Sequence, residues 1–147
     1  MPVLKGPLQN GAIVEISLGW SAAGARDLRT ALRPVPPSLQ VSALLDTGAE
    51  ITCVDASLIR QLGLPLSGMA PANMPAHGGV TFAGLHDVSL TILHPSRKAR
   101  NHLTLPDLSV LELSLAALGY RALIGRDTLA RCRFLYDGPG NGFRLTY

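Results

Sequence analysis

Residues 43–52 read ALLDTGAEIT and carry an ionisable carboxylate to the end of an apolar run. Asp46 follows the aliphatic residues directly, and Thr47 and Gly48 come next. Asp-Thr-Gly alone is a weak signal, because Asp often closes a surface turn by accepting a hydrogen bond from its own backbone. The alternative is an acid partly removed from water and available for chemistry. The stretch by itself leaves both interpretations open.

Length and composition predict one folded domain over residues 1–147. The chain has 147 residues, of which 47% are hydrophobic and 16% charged, and this excludes a disordered chain. The core is expected within about 39–147, with an N-terminal strand and a long connection in 1–38. The net charge of +3 is too weak and dispersed to predict nucleic-acid binding.

The N-terminal residues and the cysteines predict the cellular setting. No apolar segment has the length of a signal peptide, and no run approaches the roughly 18 residues of a membrane span. Cys53 and Cys132 are expected to be reduced and buried in the core. We therefore expect a cytoplasmic protein with no membrane partner.

Short apolar segments separated by Gly- and Pro-rich turns predict an all-β fold, mainly β with one or two short helices, closed or sandwiched. Asp55 is expected to cap a helix over 56–62 that Gly63 ends, and a second short helix follows Gly125. A helical turn is also possible within 21–38, and the second half of 103–118 is compatible with either strand or helix. Strands are expected at 12–20, 39–46, 51–54, 85–93, 103–118, 122–124 and in two runs within 133–147. Residues 71–84 are expected to form a hairpin with Gly78 and Gly79 near its tip.

Several chemistries lack their motifs. The four histidines form no His-Glu-x-x-His, no Cys-x-x-Cys occurs, and no nucleophile elbow or phosphate-binding loop is present. The acids Asp46, Glu50 and Asp55 do not match a calcium loop. We therefore expect no metal and no cofactor. The basic segment 96–100 could touch phosphates, but it is better explained as a solvated loop, so nucleic-acid binding is the weakest hypothesis.

A second motif, ALIGRD at residues 122–127, stands about eighty residues after the first. The two motifs and their order resemble the retropepsin-like aspartic proteases, the group that contains retroviral proteases and their single-domain bacterial relatives. The resemblance covers roughly 39–147, and the connection 21–38 is longer than the family pattern. It implies an acid-protease barrel with one lobe per chain.

The resemblance also implies roles for individual residues. Asp46 would be general base and acid, Thr47 would bond across a two-fold axis, and Glu50 would pair with Arg126 beneath the site. Because one chain carries one Asp-Thr-Gly, a homodimer would supply the second Asp46. The implied catalytic residues are Asp46, Thr47 and Gly48; the substrate-binding residues are Ala49, Gly78 and Gly79; and the supporting residues are Glu50, Leu123, Ile124, Gly125 and Arg126.

The implied function is an aspartic endopeptidase that hydrolyses peptide bonds of a peptide or protein bound as an extended strand. Ala49 offers no hydroxyl to the ionised acid, which predicts activity at milder pH than in pepsin-like enzymes. The alternative is a catalytically silent module of the same fold that binds peptides or dimerises.

Overall fold

The computed structural model describes residues 1–74 and 78–147. Ten strands and three short α-helices lie in these two ranges, which confirms a mainly β chain. The strands are β1 (Val3–Pro7), β2 (Ile13–Trp20), β3 (Leu39–Leu45), β4 (Cys53–Asp55), β5 (Gly68–Met74), β6 (Gly79–Ile92), β7 (Leu103–Leu113), β8 (Ala122–Ile124), β9 (Arg133–Asp137) and β10 (Gly142–Thr146). The helices are α1 (Ala22–Thr30), α2 (Ala56–Leu62) and α3 (Arg126–Leu129).

Six strands close into a barrel. They pair in the order β2, β3, β8, β4, β7, β6, and β6 returns to pair with β2. β5 pairs only with β6 and extends from the barrel, while β1, β10 and β9 form a separate three-stranded sheet. The sequence order of acid loop, hairpin, apolar-apolar-Gly, helix and final strands is the layout that the resemblance implied.

The barrel interior is filled by alternating positions of its strands. In β2, Val14, Ile16 and Leu18 are buried while Glu15 is exposed, as expected for a strand with one face on the core. Each fully buried Ile or Leu side chain stabilises the fold by about 1.5–3 kcal/mol. Leu4 of β1 belongs to the same core cluster, so residues before 39 also contribute to the core.

The helices begin and end where local chemistry favours it. Asp55 caps α2 by accepting from the backbone N–H of Ser57, and Gly63 ends it in the left-handed conformation at φ 63°, as predicted. In the 21–38 connection a full helix forms, capped by Ser21. The second half of 103–118 contains both kinds of structure, because β7 continues to Leu113 and a 3₁₀ helix covers Ala116–Leu118.

The predicted hairpin is longer than 71–84. β5 begins at Gly68, and β6 runs on to Ile92, so the strand expected at 85–93 is the continuation of the hairpin arm. Gly78 (φ 70°) and Gly79 stand at the start of the returning arm. Residues 75–77, which the predicted hairpin includes, lie outside the described residues.

No helix within 1–74 or 78–147 has both the length and the apolar character needed to cross a membrane.

Candidate active site

The two motifs meet because β3 and β8 are parallel neighbours. Leu44 pairs with Leu123 and Leu45 with Ile124, so both strands end at the same edge of the barrel. The loop after β3 carries Asp46, whose N–H donates to the Ile124 carbonyl at 2.9 Å. The tertiary structure therefore joins the acid motif and the late apolar-Gly motif at one point.

The Asp46 turn combines both interpretations of the sequence. Asp46 Oδ1 accepts from the backbone N–H of Gly48 at 2.9 Å, which is the local bond of an ordinary turn. The Ala49 N–H donates to the Asp46 carbonyl at 3.2 Å and closes the same turn. Asp46 is nevertheless half-buried and faces a pocket, which a simple surface turn does not require.

The pocket beside Asp46 has a volume of about 400 Å³. Its wall is formed by the Asp-Thr-Gly loop, β4, β7, β8 and the first arm of the β5–β6 hairpin. Most of the lining is apolar, with charge concentrated at Asp46, Glu50 and Arg126. The lining residues are Asp46, Gly48, Ala49, Glu50, Ile51, Cys53, Pro71, Ala72, Asn73, Leu111, Leu113, Leu123 and Arg126.

The residues singled out from sequence fall into two groups. Six of them line the pocket: Asp46, Gly48, Ala49, Glu50, Leu123 and Arg126. Thr47 is exposed beside the pocket, and its hydroxyl has no hydrogen-bond partner among the residues described. Ile124 and Gly125 are buried behind the site, and Gly78 and Gly79 lie at the far end of the hairpin, with nothing within 4 Å of a Cβ built on either.

Gly125 is a glycine because the backbone of the acid-motif segment passes too close for a side chain. A Cβ at this position would lie 2.7 Å from the Ile51 carbonyl carbon and 2.8 Å from the Thr52 nitrogen. Its φ of −83° is ordinary, so close approach and not conformation explains the residue. The next residue, Arg126, donates its N–H to the Ala49 carbonyl at 2.8 Å.

A buried polar network that the sequence did not predict holds the two segments together. The Asp127 carboxylate accepts from the Thr52 hydroxyl at 2.7 Å and from the Thr52 N–H at 3.0 Å. The Thr52 oxygen in turn accepts from the Gly125 N–H at 3.1 Å and lies 2.9 Å from the Thr128 hydroxyl. Thr52 and Thr128 are fully buried, so these bonds satisfy groups that have no access to water.

Weak signals for this network existed in the sequence. Thr52 is a polar residue between the apolar Ile51 and Cys53 of a short β run, and Asp127 follows Arg126 within the second motif. The pocket residues of β5 and β7 had no such signal, because an alternating strand does not reveal what its face contacts.

The expected ion pair between Glu50 and Arg126 is not formed in the single chain. Within the described ranges the one contact between acidic and basic side chains within 4 Å joins His86 and Glu112. Glu50 and Arg126 are both exposed, and an exposed pair gains only about 0–1 kcal/mol against hydration and side-chain entropy. The backbone joins these segments instead, since the Asp127 N–H donates to the Glu50 carbonyl at 3.2 Å.

Cys53 lines the same pocket as Asp46, and Cys132 does not. Burial, together with the negative charges of Asp127 and Asp46, raises the pKa of the Cys53 thiol to about 11. A thiol must ionise to act as a nucleophile, so this environment suppresses cysteine chemistry at the site. Both cysteines are free, and Cys53 is buried.

No cluster of three or more His, Cys, Asp or Glu side chains suited to a metal ion occurs in residues 1–74 and 78–147. The basic segment 96–100 is exposed and stands apart from the pocket lining.

Among solved structures, the chain is similar to the crystal structure of the retroviral protease-like domain of Ddi1 from Leishmania major. The two are 13% identical, the match covers 90% of this chain and 86% of that chain, and the TM-score is 0.44. No family model matches the chain, and no curated protein matches it.

Proposed function

We propose that the protein is an aspartic endopeptidase that acts as a homodimer, with Asp46 from each copy forming one catalytic pair. The observation that carries the proposal is the position of Asp46, half-buried at the wall of an apolar pocket and fixed by the late motif. An ordinary surface turn would require neither a pocket beside the acid nor a backbone bond to a second segment.

The chemistry follows from two like charges held close together. Both carboxylates of the pair cannot ionise at once, so one keeps a proton and the other acts as base. The ionised acid takes a proton from water as the water oxygen attacks the peptide carbonyl, and the protonated acid hydrogen-bonds to the carbonyl oxygen. A proton is then delivered to the leaving amine as the C–N bond breaks.

The substrate that fits is a peptide in extended conformation. The lining residues Ile51, Ala72, Leu111, Leu113 and Leu123 form an apolar surface next to Asp46. A side chain beside the scissile bond would enter this space, and we expect a medium or large aliphatic one. The β5–β6 hairpin forms one wall, and Gly78 and Gly79 at its far end would close over the peptide and exclude water.

A homodimer requires a contact surface on each chain, and β9 is the best candidate for it. β10 pairs with both β1 and β9, so β1 and β9 are the two edges of the small sheet. On β1, the Val3 carbonyl is already within 3.1 Å of His94 Nε2. On β9, Leu135 is 51% exposed and Tyr136 is 62% exposed. An edge strand with exposed apolar side chains favours pairing with another chain.

The free thiols of Cys53 and Cys132 fit a reducing compartment, and we place the protein in the cytoplasm on that ground. The basic segment 96–100 has no place in the proposed reaction, and we propose neither a nucleic-acid partner nor a membrane partner.

The test combines cleavage with oligomeric state. The purified chain is incubated with a diverse peptide library, products are identified by mass spectrometry, and association is measured by sedimentation. Asp46→Asn should lower the cleavage rate by at least about 10³-fold while dimerisation and thermal stability stay as in the wild type. Asp87→Asn is the matched control, because Asp87 is exposed, bonds Ser109 and does not line the pocket.

Each outcome has a defined meaning. Cleavage that survives Asp46→Asn would rule out the aspartic mechanism. A wild-type dimer that binds extended peptides but cleaves none of them would favour the silent binding module.

A further inference from the structure

His86 lies where the β5–β6 hairpin leaves the barrel. From Leu85 onward β6 pairs with β7, whereas residues 79–84 pair only with β5. The His86 side chain is ionisable, yet it is buried. It does not line the pocket beside Asp46. A buried histidine at the base of a hairpin that forms a pocket wall needs a physical explanation.

Both ring nitrogens of His86 face acceptors. Nδ1 lies 2.9 Å from the Pro65 carbonyl oxygen, and Nε2 lies 2.7 Å from Glu112 Oε2. A carbonyl only accepts, an ionised carboxylate only accepts, and a neutral imidazole has a single N–H. The two contacts therefore require one proton more than a neutral histidine and an ionised glutamate supply together. Either His86 is an imidazolium or Glu112 is protonated, and the pair shares that proton.

Gly84 packs closely against the contact between His86 and Glu112. A Cβ on Gly84 would lie 2.8 Å from a Leu66 methyl carbon, 3.3 Å from His86 Nε2 and 3.4 Å from Glu112 Oε2. The glycine thus permits the ring and the carboxylate to meet beneath the hairpin. A methyl group at position 84 would have to displace the Leu66 methyl and would be in tight contact with the ring.

Among residues 1–74 and 78–147, Glu112 is the one acidic side chain in contact with His86. No other carboxylate lies within 4 Å of the ring, and no other cation lies within 4 Å of Glu112, in the described part of the chain. β5 carries no ionisable side chain, and segment 64–67 offers His86 only a carbonyl. Of the acids on β6, β7 and β2, Asp87 accepts from Ser109, Asp107 accepts from the Ala23 N–H, and Glu15 accepts from Ser42.

A route for the proton to water is present. The Glu112 side chain is 30% exposed, and it lines a second cavity of about 330 Å³ between β6 and β7. The proton can therefore exchange with solvent from the Glu112 side while the ring stays buried.

We propose that His86 is a positioning residue that fixes the base of the β5–β6 hairpin through the proton it shares with Glu112. Loss of this proton at rising pH leaves one of the two contacts without a hydrogen. If the contact with Pro65 is lost, the segment from Pro65 to β5 is released, and the pocket wall formed by Pro71, Ala72 and Asn73 moves with it. If the contact with Glu112 is lost instead, the end of β7 is released. The effect on cleavage rests on the proposed function, but the coupling of proton and hairpin does not.

The decisive variant is Glu112→Gln. A glutamine amide can donate to Nε2 of a neutral ring while Nδ1–H still donates to Pro65, so both contacts survive without the extra proton. The exchange protection of the hairpin should then be the same at low and high pH. Asp87→Asn, one residue from His86 and bonded on another side, is the control.

The primary readouts are NMR of the His86 ring nitrogens and the Glu112 carboxyl carbon, and amide hydrogen exchange of β5 and residues 79–84. In the wild type we expect the ring nitrogens and the carboxyl carbon to report one shared protonation step as pH rises, because the two groups share one proton. Hairpin protection, corrected for intrinsic exchange, should fall about tenfold across that step. In Glu112→Gln this fall should vanish, while in Asp87→Asn it should persist.

The proposal is overturned if His86 and Glu112 share no titration step, or if Glu112→Gln keeps the pH-dependent exchange. If peptide cleavage is measurable, kcat/KM of the wild type should fall on the alkaline side with the same midpoint, and Glu112→Gln should lose that fall. A chain that cleaves nothing would defeat the proposed function, yet the exchange experiment would still decide the role of His86.

Discussion

The carboxylate of Asp127 accepts hydrogen bonds from the hydroxyl and the backbone N–H of Thr52, a residue 75 positions earlier. This contact joins the residue that precedes β4 to α3, the helix after the late glycine. With the bond from the Asp46 N–H to the Ile124 carbonyl, it holds the acid loop from two sides. The position of Asp46 depends on contacts that no neighbour in sequence provides.

Thr52→Val tests this network. Valine keeps the shape but removes the donor to Asp127 and the acceptor of the Gly125 N–H, in a site without water. We expect a loss of about 2–3 kcal/mol in the free energy of unfolding, since each buried group left unpaired costs roughly 1–3 kcal/mol. Thr104→Val is the control, because its bond to Thr91 is exposed, and it should cost little in the same denaturant titration.

Gly125→Ala tests the close approach behind the pocket. The added methyl would meet backbone atoms of Ile51 and Thr52, which cannot rotate away as a flexible side chain could. We expect destabilisation of about 1–3 kcal/mol or more, with reduced peptide cleavage because the acid loop must shift. Gly68→Ala has only an ordinary contact at 3.7 Å, and it should be nearly neutral in thermal unfolding. Equal effects of the two variants would contradict the explanation.

Asp55 should make stability depend on acid pH. Burial works to raise the pKa of its carboxyl, but hydrogen bonds from Ser57, Leu115 and Ala116 outweigh it and hold the pKa below its ordinary value of 3.8. A depressed pKa contributes stability above the unfolded value and loses it as pH falls through the folded one. The stability gap between wild type and Asp55→Asn should therefore be widest near neutral pH, and it should narrow progressively as pH falls below about 4 towards the lowered folded pKa.

Unfolding titrations at several pH values measure this gap. Ser57→Ala removes the hydroxyl that donates to the Asp55 carboxylate and accepts from Arg121, and it should make the pH dependence shallower. A gap that stays constant from neutral to acid pH would show that the Asp55 charge is not the source.

Cys53→Ala separates acid from thiol chemistry in the pocket. With its pKa raised from 9.0 to about 11, the Cys53 thiol is ionised about 100-fold less than an unperturbed one at neutral pH. We expect peptide cleavage to remain within a few-fold of the wild type, and alkylation of Cys53 to be slow. Loss of cleavage with the fold intact would point to a thiol mechanism instead.

The double variant Leu135→Lys, Tyr136→Lys tests the proposed partner surface. Two charges on an edge strand disfavour pairing with a second copy, so we expect the dissociation constant of the dimer to rise at least about 10-fold. Leu32→Lys with Leu118→Lys adds the same charge at exposed positions outside β9. Sedimentation of both variants at matched concentrations measures the effect, and equal dissociation would exclude β9 as the interface.

Much of the fold could be predicted because its signals are local. The alternation of 12–20, the Asp55 cap, the Gly63 stop and the break at Gly125 each reflect chemistry within a few residues, and the structure confirms them. The Glu50–Arg126 pair could not be predicted reliably, since it concerns two long exposed side chains whose geometry no local rule fixes. The helix within 21–38 is longer than predicted. The sequence predicted at most one helical turn before Pro34, whereas α1 covers Ala22–Thr30.

The sequence by itself determined most of the strands, the capped helix and the two motifs, because hydrophobic periodicity and turn chemistry act over short distances, whereas β1 (Val3–Pro7) was not predicted. Only the tertiary structure decided that Thr52 and Asp127 meet, that Pro71 to Asn73 join the pocket wall, and that His86 faces two acceptors. These contacts depend on strand order and register in a closed barrel. Pairing between distant segments sets that order, and its determinants are spread over the whole core.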